Sequence, residues 1–299
     1  MTDIKLLVDS QNVIGEGPLW DVEEQRFYWL DSPSNRIFRA TADGREVEQW
    51  EVTSTIGSMA LRKGGGAVVS LATGLHLFDF KTGRLELIGH PEAGMHEIRF
   101  NDGKVDHQGR FVVGSYDETM FTANPSPHPR GSLYRLDTDH KITKLIDGGI
   151  AVSNGPCFSP DGKTFYFADT LYNTVWAFDW SADGVPSNRR VFVQGKAGEG
   201  MADGATVDEE GYLWNAWNGA GSGGGGAVRR YAPDGTLDRT IVLPSLKVTS
   251  LNFGGPKLDT LFVTTMGMGG FPEDRPHDGG VYTVTGLGVR GLPEFRYGG

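Results

Sequence analysis

One pattern recurs along this chain and limits its fold more than any other feature: an entry segment, a turn with Asp or Gly, an aromatic segment, and a third segment ending in another turn. It reads "GEGPLWDVEEQRFYWLDSPSNRIFRATADGREVEQWEV" from Gly15 and "GSMALRKGGGAVVSLATGLHLFDFKTGRLELIG" from Gly57. A third copy, "FNDGKVDHQGRFVVGSYDE" with "GSLYRLDTDHKITKLID", is split by a Pro-rich insertion from Met120 to Arg130. The fourth is "SNGPCFSPDGKTFYFADTLYNTVWAFDWSADG" and the fifth "ADGATVDEEGYLWNAWNGAGSGGGGAVRRYAPDGTLDRTIVL". "TSLNFGGPKLDTLFVTTMG" with "GGVYTVTG" makes the sixth. Self-similarity at a period of roughly 40–50 residues is the mark of a β-propeller, with four strands to a blade. The expectation is an all-β, six-bladed β-propeller formed as one domain over residues 1–299. Doubly wound sheets and TIM barrels need alternating amphipathic helices, and no capped 3.6-period segment of helical length occurs here.

Composition narrows the partners. Gly makes up 44 of 299 residues, which suits a turn-rich chain, and aromatics are plentiful enough for a folded core. A net charge of −10 without any Lys/Arg run argues against nucleic acid. "MTDIKLLVDSQNVIGEGPLW" lacks the apolar core of a signal peptide, and no stretch of 18 apolar residues exists, so a soluble cytoplasmic protein with no membrane partner is expected. Cys157 is the lone cysteine, which rules out an internal disulfide or a cysteine metal cluster; next to Phe158 it reads as a small buried hydrophobe.

Aligning the copies places one residue of each blade's innermost strand near the channel axis: Glu16, Ser58, Asn101, Asn154, Asp203 and Ser250. All six carry side-chain oxygens. Asn-Gly at Asn154 would by itself be a turn dipeptide, but Glu16-Gly17 and Asp203-Gly204 repeat the arrangement. Two carboxylates converging on one axis, with an amide beside them, repel each other unless a cation lies between them. Glu16, Asn154 and Asp203 are therefore expected to bind one divalent metal with oxygen ligands, such as Ca²⁺, Mg²⁺, Mn²⁺ or Zn²⁺, leaving positions open for water and substrate.

"GEGPLW", "RFNDGKVD" (Arg99 to Asp106), "SNGPCFSPDG" (Ser153 to Gly162), "ADGATVDEEGYLWNA" (Ala202 to Ala216) and "GGVYTVTGLGVRG" occur in order over nearly the whole chain. Together they closely resemble the SMP-30/gluconolactonase/regucalcin-like family. The resemblance implies a six-bladed propeller whose single divalent ion (Ca, Zn, Mn, Mg or Fe(II)) is held by Glu16, Asn154 and Asp203. It also implies that Arg99 and Asn101 hold the oxygens of a sugar lactone, the small-molecule partner, which is hydrolysed to an aldonic acid. An acid shortly after the "VVGSY" strand is implied to touch substrate, and "GSYDET" offers both Asp117 and Glu118. On this reading Asp203 doubles as the catalytic base. The competing expectation is a calcium-binding regulatory or scaffold propeller without catalysis, which fold alone does not separate from an enzyme.

Other signals point less strongly. "GAGSGG" at Gly219 to Gly224 fits a dinucleotide fingerprint but lacks the strand-to-helix context. No G-x-S-x-G elbow is present. His96 near Arg99 is a candidate for the site wall, and Tyr116 and Trp217 are candidates for stacking on a sugar face. The loops Met120 to Arg130, Gly219 to Gly226 and Met266 to Asp278 are expected to select among lactones.

Overall fold

A computed structural model describes residues 2–219, 225–270 and 273–299. Strand β1 (Asp3–Val8) precedes blade one, which is β2 (Gly15–Asp21), β3 (Arg26–Asp31), β4 (Arg36–Ala40) and β5 (Glu48–Glu51). Blade two is β6 (Ile56–Leu61), β7 (Ala67–Leu71), β8 (Gly74–Phe78) and β9 (Leu85–Gly89). Blade three follows as β10 (Ile98–Val105), β11 (Phe111–Asp117), β12 (Gly131–Leu136) and β13 (Ile142–Ile150), with a single 3-10 turn, Glu118–Phe121, opening the Met120 to Arg130 insertion. Blade four is β14 (Ser153–Phe158), β15 (Thr164–Asp169), β16 (Thr174–Trp180) and β17 (Pro186–Gln194). Blade five is β18 (Met201–Val207), β19 (Leu213–Asn218), β20 (Ala227–Tyr231) and β21 (Leu237–Val242). Blade six takes β22 (Val248–Gly254), β23 (Thr260–Thr265) and β24 (Val281–Thr285) and receives β1 as its outer strand. The six four-stranded sheets form a six-bladed propeller.

Apolar residues fall on both faces of each sheet because each blade is a wedge between two others. In "RFYWLD" of β3, Tyr28 and Leu30 pack toward blade two with Met59, Leu61 and Val69. Phe27 and Trp29, alternating with them, pack the other way against Phe262 and Val281 of blade six. The Phe27 and Phe262 rings stack at 4.4 Å between centroids. Equivalent clusters fill the other four blade interfaces. Cys157 lies in the cluster between blades four and five, and burial pushes its thiol up to about 12, so it stays protonated and unreactive.

Two devices close the ring. β1 pairs antiparallel with β24, matching Asp3 to Thr285 and Leu6 to Tyr282. The segment after β24 then crosses the lower end of the channel and fastens the hairpin turns of five blades. Gly291 N–H donates to Leu258 O, Glu209 N–H to Arg290 O, Lys63 N–H to Tyr297 O and Gly298 N–H to Gly109 O, while Arg296 pairs with Asp21 at 2.6 Å.

Removing residues 2–8 should leave the β24 edge unpaired and lower the melting temperature by roughly 10 °C, since each kcal/mol is worth about 2–4 °C in chains approaching this size. A differential scanning measurement on the truncated chain checks this; an unchanged melt would mean that the closing strand is dispensable.

Candidate functional site

All six innermost strands, β2, β6, β10, β14, β18 and β22, carry a one-residue bulge near their upper ends. On β2 the register runs from Glu16 opposite Leu30 to Leu19 opposite Tyr28; on β14 it runs from Asn154 opposite Ala168 to Cys157 opposite Tyr166. A bulge bends the strand and re-aims the side chain beside it. Gly17 and Gly155 adopt φ of 54° and 53°, which favours glycine, and a Cβ on Gly155 would lie 2.8 Å from Asp203 O. Gly17 and Gly155 thus permit the bulges after Glu16 and Asn154, and Gly155 also close contact with the next blade, whereas Gly204 after Asp203 is needed for the close approach of Ser250.

Glu16, Asn154 and Asp203 are all buried near the axis, and a third carboxylate, Asp102, lies among them. Burial, then the charges of Asp102 and Asp203, pushes Glu16 well above the usual carboxylate range. Burial and Asp102 raise Asp203 likewise, partly offset by hydrogen bonds from Asn218 and from the Gly204 N–H. Asp102 is pushed up to about 6 by burial, against the Gly155 N–H and the charge of Lys104. Its Oδ2 accepts from Gly155 N–H at 2.9 Å, which ties β10 to the bulge bearing Asn154. Asp102 was within reach of sequence reasoning, since it follows Asn101 inside "RFNDGKVD".

Asn101 Nδ2 donates to Asn154 Oδ1 at 2.6 Å and to Ser153 O at 2.7 Å, so the amide expected to meet substrate touches a ligand candidate directly. Arg99, half-buried, bonds the carbonyls of Ile98 and His96 and pairs with Glu118 at 3.1 Å. Asp117, the other acid considered for substrate, is wholly buried. Both its oxygens are taken by Arg130, at 2.7 and 3.0 Å, and it caps the 3-10 turn through Thr119, so Glu118 is the acid placed beside Arg99. Tyr116, opposite Arg99 in the β10–β11 pairing, lies against this group. Trp217 does not: it is fully buried in the blade four–five cluster with Arg229 4.1 Å over its ring, because apolar wedge packing claims it. Residues 220–224 of the Gly-rich segment lie outside the described residues.

The axis changes character below the carboxylates. Ser58, Asp102, Lys104, Ser250, Asn252 and Glu294 line a cavity of about 40 Å³. Lys104 forms an ion pair with Glu294, which also accepts from Asn252 Nδ2 at 2.8 Å. Ser58 Oγ is turned onto Ser70 Oγ and Asn101 O, each at 2.8 Å, so it braces blades two and three.

The donor set suits a hard divalent cation. Glu16 and Asp203 supply carboxylates, Asn154 an amide oxygen, and the raised carboxylate pKa values reflect buried negative charge that a cation would relieve.

A family model described as "SMP-30/Gluconolactonase/LRE-like region" matches residues 14–267. The chain is 34% identical to regucalcin of Xenopus laevis over 308 residues, covering 100% of both chains. Among solved structures, a luciferin-regenerating enzyme superposes with a TM-score of 0.90 at 28% identity, over 100% of both chains. A calcium-binding protein, regucalcin, from Agrobacterium tumefaciens superposes with a TM-score of 0.87 at 28% identity, over 98% of this chain and 96% of that one. The chain belongs to the SMP-30/gluconolactonase/LRE-like family of six-bladed propellers.

A carboxyl whose folded pKa is raised binds its proton more tightly folded than unfolded, so stability falls as pH rises from the unfolded value, about 4, through the raised one. Metal-stripped protein should therefore melt higher at mildly acidic than at neutral pH, and added divalent ion should raise the neutral-pH melt most. Melting curves over that range, with and without chelator, test this; a metal-free melt that rises with pH would contradict it.

Proposed function

We propose that this protein hydrolyses a sugar lactone to its aldonic acid with the help of one divalent cation held by Glu16, Asn154 and Asp203. The observation carrying the proposal is the direct bond between Asn101 and Asn154, with Arg99 two residues along β10: substrate-type polar groups adjoin a set of oxygen ligands. The family's gluconolactonase description supports the same reading. A bound cation would polarise the lactone carbonyl and stabilise the negative charge that develops on its oxygen.

The chain's own groups have separable tasks. Asp203 accepts a proton from the attacking water and returns it to the ring oxygen as the ester bond breaks. Arg99 is permanently charged and offers planar donors to lactone oxygens, and Glu118 beside it accepts from sugar hydroxyls. Both Nδ2 protons of Asn101 are committed to Ser153 and Asn154, leaving Oδ1 as an acceptor for a substrate hydroxyl. The blade wedges hold these groups in place before substrate arrives.

A second reading, calcium binding without catalysis, is favoured by the calcium-binding regucalcin from Agrobacterium tumefaciens. The substrate groups separate the two. Chelation should abolish proton release from aldonolactones, and at least one of Ca²⁺, Mg²⁺, Mn²⁺, Zn²⁺ or Fe²⁺ should restore it; full turnover in verified metal-free protein would defeat the mechanism. Asp203→Ala should lower kcat by about 10²-fold or more, and further than Asn154→Ala, because it removes ligand and base together. Arg99→Ala should leave metal content intact yet cut kcat/KM at least tenfold, roughly 1.4 kcal/mol. Unaltered kinetics in the metal-loaded Arg99 variant would favour the binding-only reading.

A further inference from the structure

Ala202, immediately before Asp203, has both its backbone polar groups taken by side chains of the neighbouring blade. Its N–H donates to Asn173 Oδ1 at 3.1 Å, and its carbonyl accepts from Thr170 Oγ1 at 2.8 Å. Thr170 and Asn173 bound the turn between β15 and β16, closed by Asn173 N–H donating to Thr170 O at 3.0 Å. The same buried Thr170 oxygen lies 2.7 Å from Asn154 Nδ2. One hydroxyl therefore joins two strands that carry ligand candidates.

The hydroxyl has one proton. Because a carbonyl cannot donate, that proton points at Ala202 O, and Thr170 can only accept from Asn154. Asn154 must then turn its NH₂ toward Thr170 and present Oδ1 on the other side, where Asn101 Nδ2 meets it. The opposite end of the chain demands the same orientation, because Asn101 must give its second N–H to the Ser153 carbonyl. Flipping Asn154 would set two acceptors together at Thr170 and two NH₂ groups together at Asn101. Flipping Asn101 as well would only move the conflict to Ser153 O. Backbone carbonyls at both ends thus permit a single polarity.

We propose that Thr170 is a positioning residue: by spending its proton on Ala202 O, it forces Asn154 to offer oxygen, not nitrogen, as a cation ligand. The inference rests on the reading of Asn154 as a metal ligand. An amide needs such orientation because only one of its two ends can ligate, whereas a carboxylate is an acceptor at both ends and needs none.

That difference supplies the test. Calorimetric titration with Mn²⁺ or Ca²⁺ alone would be run on the wild type, Thr170→Val, Thr170→Ser, Asn154→Asp and the Asn154→Asp/Thr170→Val double variant, with metal-free melting curves for each. Thr170→Val should weaken metal binding about 10–100-fold, the usual cost of losing a group that orients a ligand, and Thr170→Ser should restore most of it. On the Asn154→Asp background, Thr170→Val should change affinity by less than about twofold. A Thr170→Val protein that binds metal like the wild type overturns the inference, as does an equal loss on both backgrounds, which would mark Thr170 as a packing residue. Should Thr170→Val fail to fold, Thr170→Ala enters the same cycle and is judged by the same criteria. If the wild type binds neither ion, the metal reading of the site itself falls, and this inference with it.

Discussion

Wedge packing between blades is the constraint on which the rest depends. Each sheet buries both faces, and six apolar clusters lock the ring at the spacing that brings the inner strands together around an axis. Polar groups on that axis have no room to relax away from one another. Glu16, Asp102 and Asp203 are crowded because Trp29, Phe262 and their counterparts further out leave the blades nowhere else to go.

The chain answers the crowding differently at each level of the channel. Near the mouth, Glu16, Asn154 and Asp203 are the oxygen donors we propose share an external cation. Lower down, Lys104 serves as an internal one: it faces Asp102 and Glu294, and its charge holds Asp102 below the value burial alone would set. Asp102 links the two levels through its hold on the Gly155 N–H.

The blade count, the entry strands and the recurring oxygen residues were all legible in the sequence because they repeat, and repetition makes a weak local signal strong. Glu16-Gly17 and Asn154-Gly155 were readable for the same reason, since a ligand candidate on a bulge is followed by a residue able to take positive φ. What escaped was whatever occurs only once. Thr170 sits in an ordinary strand-connecting turn, and the role we propose for it depends on meeting Ala202, 32 residues away. That Arg130 folds back from the insertion onto Asp117 and leaves Glu118 beside Arg99 is a contact no periodicity encodes. Trp217 looked available for stacking because strand-end aromatics resemble one another in sequence, whereas its burial follows from the blade beside it.

The closing strand has a consequence for the order of events in the cell. β1 leaves the ribosome well before its partner β24, which lies some 280 positions later, and the floor-forming contacts of Gly291, Arg296 and Tyr297 come later still. Individual blades can form as they emerge, since their strands are consecutive. The ring cannot shut until translation has passed all of these positions, so until then the nascent chain is an open arc with β1 unpaired and apolar blade faces bare at both edges. Such an arc invites pairing with another copy, and protection of those edges during synthesis becomes a condition for reaching the closed form.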